Sequence, residues 1–275
     1  MRITVAIRCR NDGLFIEQTL KAIAGQTRKA DEILVFDNAS SDSTKDILKR
    51  YPSLKIFDIA DGEYVPGKVL NLAVSECDSD IMVFNNADAV PQDEHWLAEL
   101  VSPIMEGAAA AYARQIPRSG AKLWVRRDYA RAFPESGNGS GAFFSMASSA
   151  VRTDVFERIS FDESLAFSED VMFTKQIREN GLKVAYSPSA AVEHSHNYDA
   201  DGITRRFYGE GKADTFIFEE RKYPLSTAVR RFLADCLRDF LFAARRGGLS
   251  EFPESVVARF LQKKSYYLGR KDGAK

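Results

Sequence analysis

Residues 3–42 read ITVAIRCRNDGLFIEQTLKAIAGQTRKADEILVFDNASSD, and this stretch decides the fold. Ile3 to Ile7 is a β-branched run of strand length, which suits a buried strand. Phe15 to Gly25 sets Phe15, Ile16, Leu20, Ile23 and Ala24 at helical spacing, so an amphipathic helix follows. Ile33 to Phe36 is again short and apolar and is closed by Asp37-Asn38. Ser43 to Tyr51 reads as a second helix, with Ser41 or Asp42 as its N-cap. Working outward, Leu54–Ile59 is a third strand, Val69–Glu76 a helix, Ile81–Phe84 a fourth strand and Trp96–Met105 a further helix. This alternation predicts a parallel sheet covered by helices on both faces.

After Ala108 the texture changes. Ala109–Arg114, Gly141–Ala147 and Val184–Ser187 read as strands, and Asp154–Arg158 and Val171–Asn180 as helices, the latter stopped by Gly181. Pro134 to Gly141 is a loop by composition. Beyond Tyr198 the chain is mainly helical, with Ser226–Arg246 and Val256–Leu268 as amphipathic stretches.

The 275 residues carry 38 Lys+Arg against 39 Asp+Glu, and that balance argues against a dedicated nucleic-acid binder. Three cysteines lie far apart with no CxxC pair, which excludes a disulfide framework and a cysteine zinc site and suits the cytoplasm. The opening MRITVAIRCRND reads as a strand and then charge, not as a secretion signal, and no apolar run reaches the length of a membrane span. The charge is uneven: Arg221–Lys275 holds 13 Lys/Arg against 5 Asp/Glu. That basic tail has two readings, peripheral contact with anionic lipid or helix packing within the chain or an oligomer.

In an open parallel sheet, ligands bind beyond the carboxyl ends of the strands. Arg8, Arg10, Asn11 and Asp12 follow the first strand, Asp37 to Asp42 the second, and Asn86-Ala87-Asp88 the fourth. Extended geometry would put Asn86 and Asp88 on one face, where two oxygen ligands suit a hard divalent cation. A dinucleotide-binding turn is excluded, because Arg-Cys-Arg-Asn-Asp-Gly has one glycine where G-x-G-x-x-G is needed. Ser168-Glu169-Asp170 is either a helix cap or a carboxylate base. His194 and His196 share one segment, as surface polarity or as metal ligands.

The order of these elements resembles the inverting family 2 glycosyltransferases of GT-A fold. The resemblance runs from Ile3 to about Gly211 through VAIRCRND, DEILVFDNASSDST, Gly67-Lys68 with Asn71, IMVFNNADAVP and FSEDVMFTKQIRENGLKVAYSPSAAVEHSH. It implies a Rossmann-like, mixed but mainly parallel α/β sheet flanked by helices over residues 1–211, and a basic amphipathic helical extension over 212–275. It implies that Asp37 reads the pyrimidine ring and that Arg8, Asn11 and Asp42 line the nucleoside pocket. Lys68 and Asn71 would contact the donor near its ribose and phosphates. Asn86-Ala87-Asp88 matches the D-x-D metal motif, with Asn replacing the first Asp. Asp88 and His194, with His196 as fallback, would hold Mg²⁺ or Mn²⁺. Glu169-Asp170 matches the E-D motif, with Asp170 as general base, and Arg205 or Arg206 would reach the phosphates. Arg114, Gln115 and the loop at Gly139-Ser140 would face the acceptor.

A narrower resemblance, to bacterial rhamnosyltransferases, rests on ARQIPR (113–118), RDYARAFP (127–134), EHSHNYD (193–199), RRFYGEG (205–211) and YYLGRK (266–271). It implies dTDP-rhamnose as donor, with a UDP-sugar as the alternative. The acceptor would be a glycan or lipid-linked saccharide at the cytoplasmic face of the membrane. The competing functions are a catalytically silent nucleotide-sugar-binding subunit and a sugar-phosphate nucleotidyltransferase. The latter usually opens with a Gly-rich loop, which is absent after the first strand here.

Overall fold

The first strand, β1 (Ile3–Cys9), is buried along almost its whole length, as its β-branched run requires. It is followed by α1 (Ile16–Ala24), β2 (Glu32–Asn38), α2 (Thr44–Leu48), β3 (Lys55–Ile59), α3 (Pro66–Ser75), β4 (Ile81–Asn86), the short β5 (Val90–Pro91) and α4 (Trp96–Met105). Then come β6 (Ala110–Ile116), α5 (Leu123–Ala132), β7 (Ser148–Arg152), a 3-10 segment (Thr153–Glu157), α6 (Glu169–Glu179), β8 (Val184–Glu193), α7 (Ala200–Ile217), α8 (Leu225–Arg246), a second 3-10 turn (Leu249–Glu251) and α9 (Phe252–Gly273). The structure, a computed structural model, describes residues 1–137, 144–219 and 222–274.

Contacts divide the chain into two units. One comprises Met1–Ile116, Ala132–Ser164 and Glu169–His194; the other comprises Pro117–Arg131, Leu165–Ser168 and Ser195–Lys275. The expected boundary at 211/212 therefore falls inside a continuous helix, α7. Composition changes there, but the backbone does not.

The first unit holds one eight-stranded sheet in the order β3-β2-β1-β4-β7-β6-β8-β5. β1, β2, β3 and β4 pair in parallel, β7 runs antiparallel to both β4 and β6, and β6 pairs in parallel with β8. The chain leaves β1 toward β2 and later returns to its other side at β4, which makes this the switch point of the sheet. Alternation along the strands splits the core in two. Val5, Ile7 and Val83 pack with Leu20 and Ile23 of α1 and Leu97 and Leu100 of α4. On the opposite face Phe84 meets Phe161 edge-on at 5.7 Å, and Phe161 stacks on Phe173 of α6 at 4.3 Å.

One expected strand is displaced. Residues 144–147 of the expected Gly141–Ala147 strand form no strand, although the Ala147 carbonyl accepts from Asn86 N–H at 2.9 Å, and 141–143 lie outside the described residues. The central strand is β7 instead, whose Ser148, Ser149, Ala150 and Val151 are all fully buried between β4 and β6. Small residues fit between two neighbours, while the aromatic Phe144 packs on Tyr112 and Phe173. The signals for α5, rich in arginine, and for the two-residue β5 are too weak to read in the sequence.

The second unit is helical. α7 and α9 approach so closely that a Cβ on Gly211 would stand 2.3 Å from the Tyr266 carbonyl oxygen, and one on Gly269 would stand 2.1 Å from that of Tyr208. Glycine is required at both positions. Trp124 and Tyr129 pack with Ala121, Val125, Ile203 and Ala258.

Candidate active site

The site forms in the first unit, where β1, β2 and β4 end together. Register sets it: Arg8 lies opposite Asn86, and Cys9 lies opposite Asp37. Arg8 donates from Nη2 to Asn86 Oδ1 at 3.0 Å and from Nη1 to Glu169 Oε1 at 3.4 Å. Burial works against the Arg8 charge, but Tyr64, Glu169 and Asp170 more than offset it and raise its pKa. The arginine thus ties the end of β4 to the start of α6.

Asn86 and Asp88 do not share a face. The strand stops at Asn86, and Ala89 N–H donates to the Asn86 carbonyl at 3.0 Å, so a turn replaces the extended alternation. Two side chains pin that turn: buried Asn85 donates to the Ala89 carbonyl at 2.8 Å, and the Thr19 hydroxyl to the Ala87 carbonyl at 2.6 Å. As a result Asn86 faces Arg8, while Asp88 faces His194, whose Nε2 is 3.5 Å from Asp88 Oδ1. Both Asp88 and His194 are buried.

His194 is delivered by sheet register. β8 slips against β6 between Ala113 and Arg114, across the segment that holds Pro188, and then resumes with Gln115 opposite Val192 and Ile116 opposite Glu193. β5 pairs Val90 with Glu193. Asp88, two residues before Val90, and His194, one after Glu193, are thereby brought together. Gln115 was expected at the acceptor; its amide instead binds Ser145 Oγ (2.8 Å) and leaves Oε1 2.8 Å from His194 Nδ1. In that amide orientation Nδ1–H is the donor. In its neutral form such an imidazole would turn its Nε2 lone pair toward Asp88, an arrangement favourable with a cation between them. One carboxylate and one oriented imidazole fit a divalent metal ion.

The expected nucleoside end is formed where β1 and β2 stop. Asp37 is fully buried, with Ser40 N–H donating to Oδ2 at 3.1 Å and the Cys9 thiol 3.4 Å from Oδ1. Burial and then the Asp37 charge push the Cys9 thiol far above its usual range, so it stays protonated and can donate. Asp37 therefore sits behind the 38–42 loop. In front of it Asn11 N–H donates to Ser40 Oγ and Asn11 Oδ1 accepts from Ser41 N–H, each at 2.8 Å. Asp42 accepts from Gly13 N–H and Thr44 N–H, each at 2.9 Å. Asn11 and Ala39 both have left-handed backbones, at φ 56° and 48°. Strain of this kind concentrates at functional sites.

Glu169 and Asp170 open α6, and Asp170 is half-buried, with Oδ1 accepting from Val171 N–H at 2.8 Å. Lys68 is exposed on α3. Asn71 was expected at the donor, but its amide clamps backbone: it accepts from Phe161 N–H and donates to the Phe161 carbonyl and Glu163. Gly67 allows that docking, since a Cβ there would lie 2.3 Å from the Asp162 carbonyl oxygen. Arg114 lies 3.7 Å from Glu135. Gly139 and Ser140 lie outside the described residues. In the second unit Arg205 is exposed, Arg206 is held by Glu210 and the Tyr198 hydroxyl, and His196 stacks on Tyr198. Sequence reading missed Gln115 and Asn85 as positioning residues. The polar types at a strand end were the available signal.

This sheet order, with the polar strand ends gathered at its switch point, is the GT-A glycosyltransferase architecture. A mannosyltransferase of Pyrobaculum calidifontis, solved in complex with GDP-Man and Mn²⁺, matches with TM-score 0.66 and 18% identity, covering 98% of this chain and 85% of that one. TarS residues 1–349 of S. aureus match with TM-score 0.62 and 19% identity, covering 99% and 91%. The profile of Glycosyl transferase family 2 matches residues 4–159, and the chain belongs to that family. An O-antigen chain rhamnosyltransferase, RfbN of Salmonella typhimurium, is 30% identical over 227 residues, 77% of this chain and 72% of its own length. The protein is a glycosyltransferase.

Proposed function

We propose that the chain transfers rhamnose from dTDP-rhamnose to a hydroxyl of a glycan or lipid-linked saccharide, by a single displacement that inverts the anomeric carbon. The observation that carries the reading is the buried Asp88–His194 pair at the switch point, oriented by Gln115. Asp170 takes the proton of the attacking hydroxyl, and the sugar–phosphate bond breaks as the new bond forms on the opposite face. Arg8 keeps Glu169 in place beside Asp170 and supplies a fixed positive charge at the strand ends. Asp37 supports the nucleoside end by holding the 38–42 loop on which Asn11 rests. Asp88 and His194, with His196 two residues along the chain as the alternate imidazole, would hold Mg²⁺ or Mn²⁺. Such an ion supplies positive charge for the leaving diphosphate. The donor assignment is supported by the 30% identity to a rhamnosyltransferase.

Thermal unfolding with dTDP, UDP, GDP and CDP, each with and without Mn²⁺, tests it. At about 100 times Kd a bound nucleotide adds roughly 2.7 kcal/mol. The expected result is a metal-dependent shift with dTDP, followed by release of dTDP from dTDP-rhamnose when acceptor is present. A shift with UDP alone would move the donor to a UDP-sugar. Binding of dTDP with no transfer to any saccharide would leave only a silent nucleotide-sugar binder.

A further inference from the structure

α8 is rotated against its own amphipathicity. Leu225, Val229, Leu233, Leu237, Phe240 and Leu241 recur every three or four residues along the helix, and all are exposed; Leu233 is 60% and Leu237 59% exposed. The inward face carries Ala228, Asp235, Asp239 and Ala243. A surface helix ordinarily buries its apolar stripe. Here ion pairs within the second unit fix the opposite rotation. Arg127 donates to Asp239 at 2.8 Å and to Asp235 at 2.7 Å, Arg259 donates to Asp239 at 2.8 Å, and Lys263 lies 2.7 Å from Asp235.

Charge makes a second, independent observation. Arg230, Arg231, Arg238, Arg245 and Arg246 are exposed along α8, and the only carboxylates of the helix are the two buried aspartates. The outer face is therefore an apolar stripe flanked by cations and no anion. A shallow groove between Leu225, Val229 and Leu233 has Arg230 at its side.

We propose that this face of α8 docks on an anionic lipid surface. The apolar stripe enters the boundary between headgroups and acyl chains, and the arginines meet lipid phosphates. At 22 residues the helix runs about 33 Å in the membrane plane. Among the described residues no helix is long and apolar enough to cross a membrane, which fits a helix that lies on one. A second copy suits the face less well: paired α8 helices would set five arginines against five, with no exposed carboxylate on α8 to meet them. The proposal does not depend on which donor the site takes.

Flotation of the full chain with phosphatidylcholine vesicles, alone and mixed with phosphatidylglycerol, is the test. Binding is expected with the mixed vesicles at low salt and loss of binding at high salt. Leu233→Ser combined with Leu237→Ser is expected to weaken binding at least about tenfold. Arg230→Gln and Arg245→Gln are expected to weaken it about fivefold each. These positions are exposed, and an unchanged unfolding midpoint would show that each variant is folded. No flotation of the parent chain with mixed vesicles at low salt would overturn the proposal, as would equal flotation of parent and leucine variant. A concentration-dependent dimer by light scattering, dissociated by the leucine substitutions, would assign the face to a second copy instead.

Discussion

The proposed roles of Asp170 and Gln115 rest on their immediate neighbours. Asp170 is half-buried at the start of α6, one residue after the glutamate that Arg8 holds. Asp170→Asn keeps the shape but cannot take a proton. Turnover is expected to fall by about 10² to 10⁴-fold while the nucleotide-induced thermal shift is retained; near-normal turnover would remove Asp170 from the mechanism. Gln115 meets His194 Nδ1 through its amide oxygen, so its proposed part in the metal site is to position that imidazole. Gln115→Leu should weaken Mn²⁺ affinity about 10- to 100-fold, read by calorimetry with Mn²⁺ alone. Unchanged affinity would mean that His194 is not a ligand or needs no orientation. Asn86 departs from the D-x-D pattern, and its contact with Arg8 gives that departure a physical meaning: the first position holds a side-chain cation in place.

Among the elements, α3 shows residues of a recognised motif making structural contacts. Of the Gly67-Lys68 and Asn71 signature, Lys68 and Asn71 are the expected donor contacts. In the structure two of its three residues dock α3 on the 161–163 segment. Asn71→Ala strands a backbone donor and acceptor, at a cost of about 1–3 kcal/mol. Denaturant unfolding should show that loss, while the Kd for nucleotide, measured on the folded variant, stays within about twofold. A large loss of nucleotide affinity with unchanged stability would return Asn71 to the donor site. Nothing local marks these residues as a clamp, because their partners lie some 90 positions away in the chain. By contrast, the Trp96–Met105 helix was legible to the residue, since a long periodic apolar face is a local property.

At the scale of the whole chain, the two units are held by different forces. The first has a continuous apolar core around its sheet. The second has a small apolar cluster and a buried ionic lattice of Arg127, Asp235, Asp239, Arg259 and Lys263. Removing one member leaves buried charge uncompensated, so Asp239→Asn is expected to cost about 3–5 kcal/mol in thermal or denaturant unfolding. The lattice also sets an acid limit. Burial raises the Asp235 pKa, but hydrogen bonds from Lys263 and Arg127 more than reverse this and lower it. Asp239 is lowered in the same way by Arg259, Ser255 and Arg127. A carboxylate with a depressed folded-state pKa stabilises fully above its unfolded value of about 3.9 and loses that contribution as pH falls below it. Helical circular dichroism should therefore decline below about pH 4, and earlier in Asp239→Asn than in the parent. A parent chain whose helices persist unchanged to far lower pH would contradict the lattice's role.

The sequence by itself determined the strand–helix alternation from Ile3 to Met105, the fold class, and the residue types waiting at the strand ends. Periodicity and β-branching act over a few neighbouring residues, so one dimension suffices to read them. Tertiary structure alone decided which of those residues meet. The turn after Asn86, the slip of β8 and the pairing of β5 turned Asp88 toward His194 and Asn86 toward Arg8. It also decided the rotation of α8. Amphipathicity names two faces, but only the arginines of α5 and α9, distant in sequence, could pull the acidic one inward.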